Sequence, residues 1–278
     1  MNRSAPENIV TVLTPEIGWG LFDLNELRRY RDLFYFLVWR DVKVLYAQTV
    51  LGFSWAILNP LIQIIVFSVI FGKVADIDTG GMEYVLFSTA AIIPWTYMSE
   101  AMSAASQSLV TGKQILGKIY FPRVLFPLTP ILAKLVDFSI SLLILVPVLI
   151  YYDAAPTWNL LLLPVLIIAM MLVPTGIGMW LAALAIRYRD VRFAMGFMVK
   201  LLIYSAPIVY SAHKIPEDIR FWYSFNPIVA VIEGFRGCLV GTPIEWQYIL
   251  PGLFMSVLVF ASGAIYFRRM ERVFVDVI

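Results

Sequence analysis

The sequence predicts an all-α polytopic membrane protein, and three observations carry that expectation. Hydrophobic residues fill 60% of the 278 positions, whereas charged residues fill only 14%. A soluble domain carries about a quarter of its residues as charges, and the mean hydropathy here is +0.81. The apolar residues also arrive in blocks longer than the ~20 residues a helix needs to cross the hydrocarbon core. With one cysteine, Cys238, and one histidine, His213, an intrachain disulfide and a multi-cysteine metal site are excluded. A zinc or Ser-His centre is disfavoured for the same reason, and no metal site is expected.

Residues 1–24 read as a cytoplasmic tail. They lack the basic-then-apolar pattern of a cleavable signal, so the spans themselves are expected to drive insertion. Residues 25–45, NELRRYRDLFYFLVWRDVKVL, place Arg29, Asp32, Arg40 and Lys43 on one side of a helical wheel. Tyr30, Phe34, Leu37, Val38 and Leu45 lie opposite, with Asp41 intruding among them. This pattern predicts an amphipathic interface helix with its cations near anionic head groups. A solvated basic helix ahead of the first span is the competing reading.

Residues 46–278 read as a single transmembrane domain of six spans. The first fits within 50–72, inside the 29 uncharged residues between Lys43 and Lys73. The second runs over 84–109 and is interrupted by Glu100; the third runs over 124–151 and contains Lys134 and Asp137. The fourth fits in the 33 uncharged residues between Asp153 and Arg187. The fifth covers 193–211 with Lys200 inside it, and the sixth lies between Glu245 and Arg268.

An even number of spans puts both termini on one side. The N-terminal segment, the second-to-third and fourth-to-fifth connections and the C-terminus together hold fifteen Lys and Arg, against four (Lys73, Lys214, Arg220, Arg236) on the opposite side. The positive-inside rule makes the fifteen cytoplasmic.

Ionisable residues inside spans cost roughly 2.5–3.5 kcal/mol each on insertion scales, so they face protein or water. Lys134 and Asp137, three apart on one helix face, are expected to pair. Glu100 and Lys200 have no local partner; they meet each other, line a hydrated path or sit nearer the surface. The external connection, 212–245, is long for a structureless loop. Its stretch FNPIVAVIEGFRGCLVG is apolar but too short to cross, and it carries Glu233 and Arg236. A re-entrant helical hairpin acting as an outer gate fits such a segment, since irregular backbone at that depth must be buried in protein or line a wet cavity.

Residues 112–119, GKQILGKI, depart from a phosphate-binding loop where Ile119 replaces the Ser or Thr that ligates magnesium. No buried strand precedes them, so the chain is expected to bind no nucleotide. The stretch 111–122 reads instead as a short basic helix at the cytoplasmic surface, suited to docking on a separate motor subunit; a loop that merely obeys the positive-inside rule is the alternative. Aromatics are abundant (8 Trp, 14 Tyr, 19 Phe). Sugars stack on such rings, which marks Trp95, Tyr97, Tyr204 and Tyr210 as channel candidates beside the ordinary roles of interfacial belt and packing.

Several strings in order, RDLFYFLVWRDVKVLYAQTVLGFSWAILNPL, KIYFPRVLFPL, RYRDVRF, YSAPIVYS, FNPIVAVIEGFRG and RRMERVFVDVI, resemble the permeases of type-2 ABC exporters of O-antigen, capsule or teichoic-acid polymers, the Wzm-like group. The resemblance covers nearly the whole chain from about residue 25. It implies a homodimer in the bacterial inner membrane bound to two copies of a cytoplasmic ABC ATPase. That partner would hold the ATP and magnesium, leaving this chain with no cofactor and no catalytic residue. The implied cargo is a polyprenyl-diphosphate-linked polysaccharide, O-antigen by preference, and membrane lipids rather than nucleic acid are the other contacts.

Carried onto this sequence, the resemblance gives ATPase coupling to Gln114, Ile115, Leu116, Lys118, Ile119, Tyr120 and Phe121. It gives contacts with the lipid diphosphate to Arg29, Arg40 and Lys43, and outer gating to the hairpin with Phe225, Glu233 and Arg236. Leu45 stands where relatives often carry a basic residue, which lowers the charge near the head groups. An exporter of a small lipid, drug or lipo-oligosaccharide on the same fold is the first rival. An integral-membrane transferase is the more distant one, and it would need clustered acids for a metal where the cytoplasmic connections offer only Asp190.

Overall fold

The computed structural model describes residues 24–47, 49–113, 121–154, 157–188 and 190–271. Every regular element among them is helical. Two helices, α1 (Leu24–Arg29) and α2 (Arg31–Tyr46), meet at Tyr30, and α3 (Ser54–Phe67) runs on into a π-helical stretch, Ser68–Val74. Next come α4 (Tyr84–Thr111), α5 (Leu125–Tyr151) and α6 (Leu163–Arg187), the last entered through a 3₁₀ turn at Trp158–Leu162. A short α7 (Asp190–Leu202) is followed by the hairpin α8 (Glu217–Tyr223) and α9 (Pro227–Leu239), and α10 (Trp246–Glu271) completes the fold.

Among the described residues four segments are long and apolar enough to cross a membrane: Gly52–Val74, Leu125–Tyr151, Trp158–Arg187 and Trp246–Glu271. The fourth helix is long enough too, at 28 residues, but rich in Ala, Ser and Thr. It forms the centre of the bundle, packed against α5 and α6, while α6 in turn packs along α10. Small residues permit these contacts. A Cβ on Gly178 would stand 2.5 Å from the Ala105 Cβ of α4, and one on Gly176 would stand 2.5 Å from the Val259 carbonyl oxygen of α10. Where lipid is as apolar as the side chains, such close backbone approach is the main source of helix association. Serine and threonine hydroxyls bond back to carbonyls of their own helices, as Thr129 does to Leu125 and Thr175 to Met171, both at 2.6 Å.

The predicted fifth span, 193–211, differs from the structure. The helix ends at Leu202 after 13 residues, about 20 Å at 1.5 Å per residue. A single 3₁₀ turn, Ile203–Ser205, follows, and Ala206 is extended with ψ 156°. Pro207 supplies the reason, since the residue before a proline is pushed out of the helical region. The chain from Ala206 to Val209 is nevertheless buried, so its carbonyls need donors. Side chains from elsewhere provide them: Asn226 Nδ2 to Ser205 O at 2.9 Å, Arg236 Nη2 to Pro207 O at 2.8 Å, and Tyr84 Oη to Val209 O at 3.0 Å.

The hairpin itself follows its local sequence. Asn226 caps α9 by accepting from Ile228 N at 3.0 Å, Pro227 occupies the first turn, and Gly241 (φ 82°) ends the helix in a left-handed conformation. The single cysteine is buried on this helix and donates to the Asn159 carbonyl at 3.0 Å. Burial pushes its thiol up to about 11. Cys238 in the folded protein should therefore react with maleimide at a small fraction of its rate in SDS; equal rates would show that α9 is not seated as described.

Candidate functional site

Bundle packing leaves one large opening. A cleft of about 760 Å³ lies between α2 and α3 on one side and α4 and α5 on the other. It reaches the end of the bundle where α2, the C-terminus of α4 and the N-terminus of α5 supply lining residues. Its lining is polar for a place between membrane helices, and includes Arg40, Asn59, Ser103, Gln107 and Thr111. Within the cleft, Lys134 Nζ sits 2.7 Å from Glu100 Oε2 and 2.9 Å from Asp137 Oδ2. The i,i+3 spacing predicted the Asp137 contact; Glu100 joins from α4 and makes the group a triad with a formal charge of −1. Lys200, offered as a partner for Glu100, is exposed on α7 instead.

Three further polar atoms on the cleft wall, Tyr46 Oη, Thr96 Oγ1 and Asp137 Oδ1, are buried without a hydrogen-bond partner among the described residues. Leaving such a group unsatisfied costs about 1–3 kcal/mol. The cleft wall therefore mixes polar groups with apolar ones such as Leu37, Ile93 and Phe138.

The remaining candidates fall into distinct places. Tyr97 lines the cleft, but its hydroxyl donates to Ile131 O at 3.0 Å and its ring meets Phe138 edge-on. Trp95 is sealed in the core. Arg29 is exposed, Arg40 Nη2 pairs with Asp41 at 2.8 Å, and Lys43 lies over the Trp39 ring at 5.0 Å. Phe121 is buried against Phe126, whereas Gln114 to Tyr120 lie outside the described residues. Tyr204 is exposed, and Tyr210 donates to its carbonyl at 3.1 Å while its oxygen lies 3.0 Å from the Tyr223 hydroxyl.

At the other end of the bundle the hairpin holds a second polar group. Arg236 is 2% exposed; its Nη1 donates to Glu233 at 2.6 Å, and its guanidinium lies 3.6 Å over the Phe87 ring. Burial pulls the pKa of this guanidinium below its ordinary value, and Glu233 opposes that. Phe225 stacks with Trp222 and meets Phe221 edge-on, a small aromatic cluster at the end of α8 and the turn that follows. Outside the bundle, Lys214 sits 2.8 Å from Asp78 and holds its carboxyl below the usual carboxylate value. Among the described residues no group of His, Cys, Asp and Glu has the makings of a metal site.

Comparison with known proteins gives this geometry a context. A family model described as ABC-2 type transporter matches residues 32–240. An O-antigen export system permease protein, RfbA, of Klebsiella pneumoniae is 23% identical, with 89% of this chain and 95% of the relative covered. A Myxococcus xanthus protein of the same name is 24% identical over 90% of this chain and 96% of its own length. The polysialic acid transport protein KpsM of Escherichia coli is 21% identical over 84% and 91%.

Proposed function

This chain belongs to the ABC-2 type transporter family of membrane permeases, and on that premise we propose that it forms the membrane channel of an ATP-driven polysaccharide exporter. The cargo is a polyprenyl-diphosphate-linked glycan, with O-antigen preferred, moved from the cytoplasm across the bacterial inner membrane. The observation that carries this reading is similarity along most of the chain to relatives named for O-antigen export and polysialic acid transport. The chain works as a six-span homodimer with two copies of a separate ATPase, and its basic end, with both termini, faces the cytoplasm.

The physical features of the chain support the assignment. Arg40 lines the polar cleft, where a guanidinium is suited to a phosphate group. Beyond it the triad and the unpartnered hydroxyls of Tyr46 and Thr96 offer both donors and acceptors, which suits sugar hydroxyls. Residues 114–121, between α4 and α5, are the coupling contact with the ATPase. Motion received there opens and closes the path.

The test is reconstitution. The chain co-purified with the ATPase encoded beside it should give a complex of two plus two whose ATP turnover changes with the lipid-linked glycan. Alanine substitutions across Gln114 to Phe121 should remove most of that stimulation and block export. Retained stimulation and export would count decisively against the coupling role, and failure of any ATPase to bind would remove the exporter reading.

A further inference from the structure

The hairpin end of the bundle contains a pocket that the path described above does not use. It measures about 240 Å³ and lies among the loop at Thr79–Met82, the α8–α9 hairpin and the start of α10. Two arginines line it. The first, Arg236, makes its Glu233 and Pro207 contacts through its two terminal nitrogens and keeps its Nε buried without a partner among the described residues. The second, Arg220, donates through Nη2 to Glu245 at 2.9 Å, and the same nitrogen lies 3.3 Å from His213 Nδ1; its Nε is likewise buried and unpartnered. Each guanidinium is braced against a ring, Arg236 on Phe87 at 3.6 Å and Arg220 on Tyr248 at 4.2 Å.

The chemistry of this lining is specific. The two positive charges are already balanced by Glu233 and Glu245, so a free anion entering the pocket would meet two carboxylates. What the wall offers instead is an equal mixture: guanidinium N–H groups and the Thr242 hydroxyl as donors, carboxylate oxygens as acceptors. Each hydroxyl of a sugar both donates and accepts, and adjacent hydroxyls match an Arg–Glu pair. The volume corresponds to about eight waters at ~30 Å³ each, enough for one sugar ring with its hydroxyls.

We propose that this pocket is a subsite for a single pyranose residue of the exported glycan, held at the outer end of the permease by Arg220, Arg236 and Thr242. The inference rests on the exporter reading, and it adds a glycan contact within one protomer.

The test uses the permease–ATPase complex in nanodiscs and the polysaccharide released by mild acid from the producing strain's own glycolipid. Binding is read by saturation-transfer NMR, and assembly is read separately by co-elution with the ATPase. Arg220→Met should weaken binding roughly tenfold, the loss expected for one hydrogen bond involving a charged group, and Thr242→Val about fivefold, the loss expected for a neutral one. Arg220→Lys should recover only part of it, because an ammonium lacks the planar fork. Thr242→Val keeps the test decisive if Arg220→Met fails to fold.

Unchanged binding in assembled Thr242→Val and Arg220→Lys complexes would overturn the subsite. Displacement by phosphate or acetate, with no response to neutral sugars, would also overturn it and mark an anion site. A wild-type complex that exports yet binds no delipidated polysaccharide would sink the subsite while leaving the exporter reading intact. If no ATPase associates, that reading fails on its own, and the binding curves on the permease still decide the subsite.

Discussion

Lys134→Met is expected to destabilise the permease by about 3–5 kcal/mol, the usual cost of removing one partner from a buried ion pair. Lys134 and Asp137 side chains are only 14% and 17% exposed, and both Asp137 and Glu100 depend on the same ammonium. Without it two carboxylates face each other between membrane helices. Part of the effect is softened by water at Glu100, which is 33% exposed. The measurement is thermal unfolding followed by fluorescence-detected gel filtration in mild detergent. The variant Lys134→Met combined with Glu100→Gln and Asp137→Asn should recover most of the loss, because no charge is left to be compensated. A single variant as stable as the wild type, or a triple variant no better than the single, would show that the triad is not an energetic unit.

The second large effect is steric. A Cβ on Gly263 would run into the carbonyl oxygen of Gly176, and both partners are helix backbone, which cannot swing aside. Gly263→Ala should therefore cost about 3 kcal/mol, the upper end of overpacking penalties, and Gly263→Leu should prevent assembly of the bundle. Gly196 on α7 is the internal control, since nothing lies within 4 Å of its added Cβ. There alanine should stabilise the helix by about 0.5–1 kcal/mol through lower backbone entropy in the unfolded chain. Opposite shifts in melting temperature at the two glycines are expected; similar shifts would argue against a tight α6–α10 contact.

Much of this architecture was legible in the chain itself, for physical reasons that differ by element. Uncharged runs around α3, α6 and α10 exceed the hydrocarbon thickness, and α5 stays apolar enough despite Lys134 and Asp137, so hydropathy finds all four without help from tertiary structure. The partner of Glu100 was not legible, because no single sequence states which face of α4 meets which face of α5. The end of α7 was missed although its signal was present: Pro207 interrupts a stretch whose hydropathy continues unbroken to Ser211. Aromatic content misled in one place, since Trp95 looks like a channel ring in sequence and is core in structure. The two unpartnered guanidinium nitrogens of the outer pocket were beyond reach, because they depend on where Arg220 and Arg236 find their other partners.

One helix joins the two ends of the molecule. At the C-terminal end of α10, the Glu271 side chain accepts from Arg123 N at 3.2 Å, and the Glu271 carbonyl accepts from Arg123 Nη1 at 3.3 Å. Arg123 begins the segment just beyond residues 114–120. At the N-terminal end of α10, Gly252 lies against Ala230 of α9 and the Ser224 carbonyl. The 26 residues between these ends make a rod about 39 Å long. A helix of that length held at both ends would act as a push-rod, carrying a displacement at Arg123 toward the hairpin. The stroke would be mechanical and axial, with no need for a ligand or a relay of side chains to carry it through the bilayer.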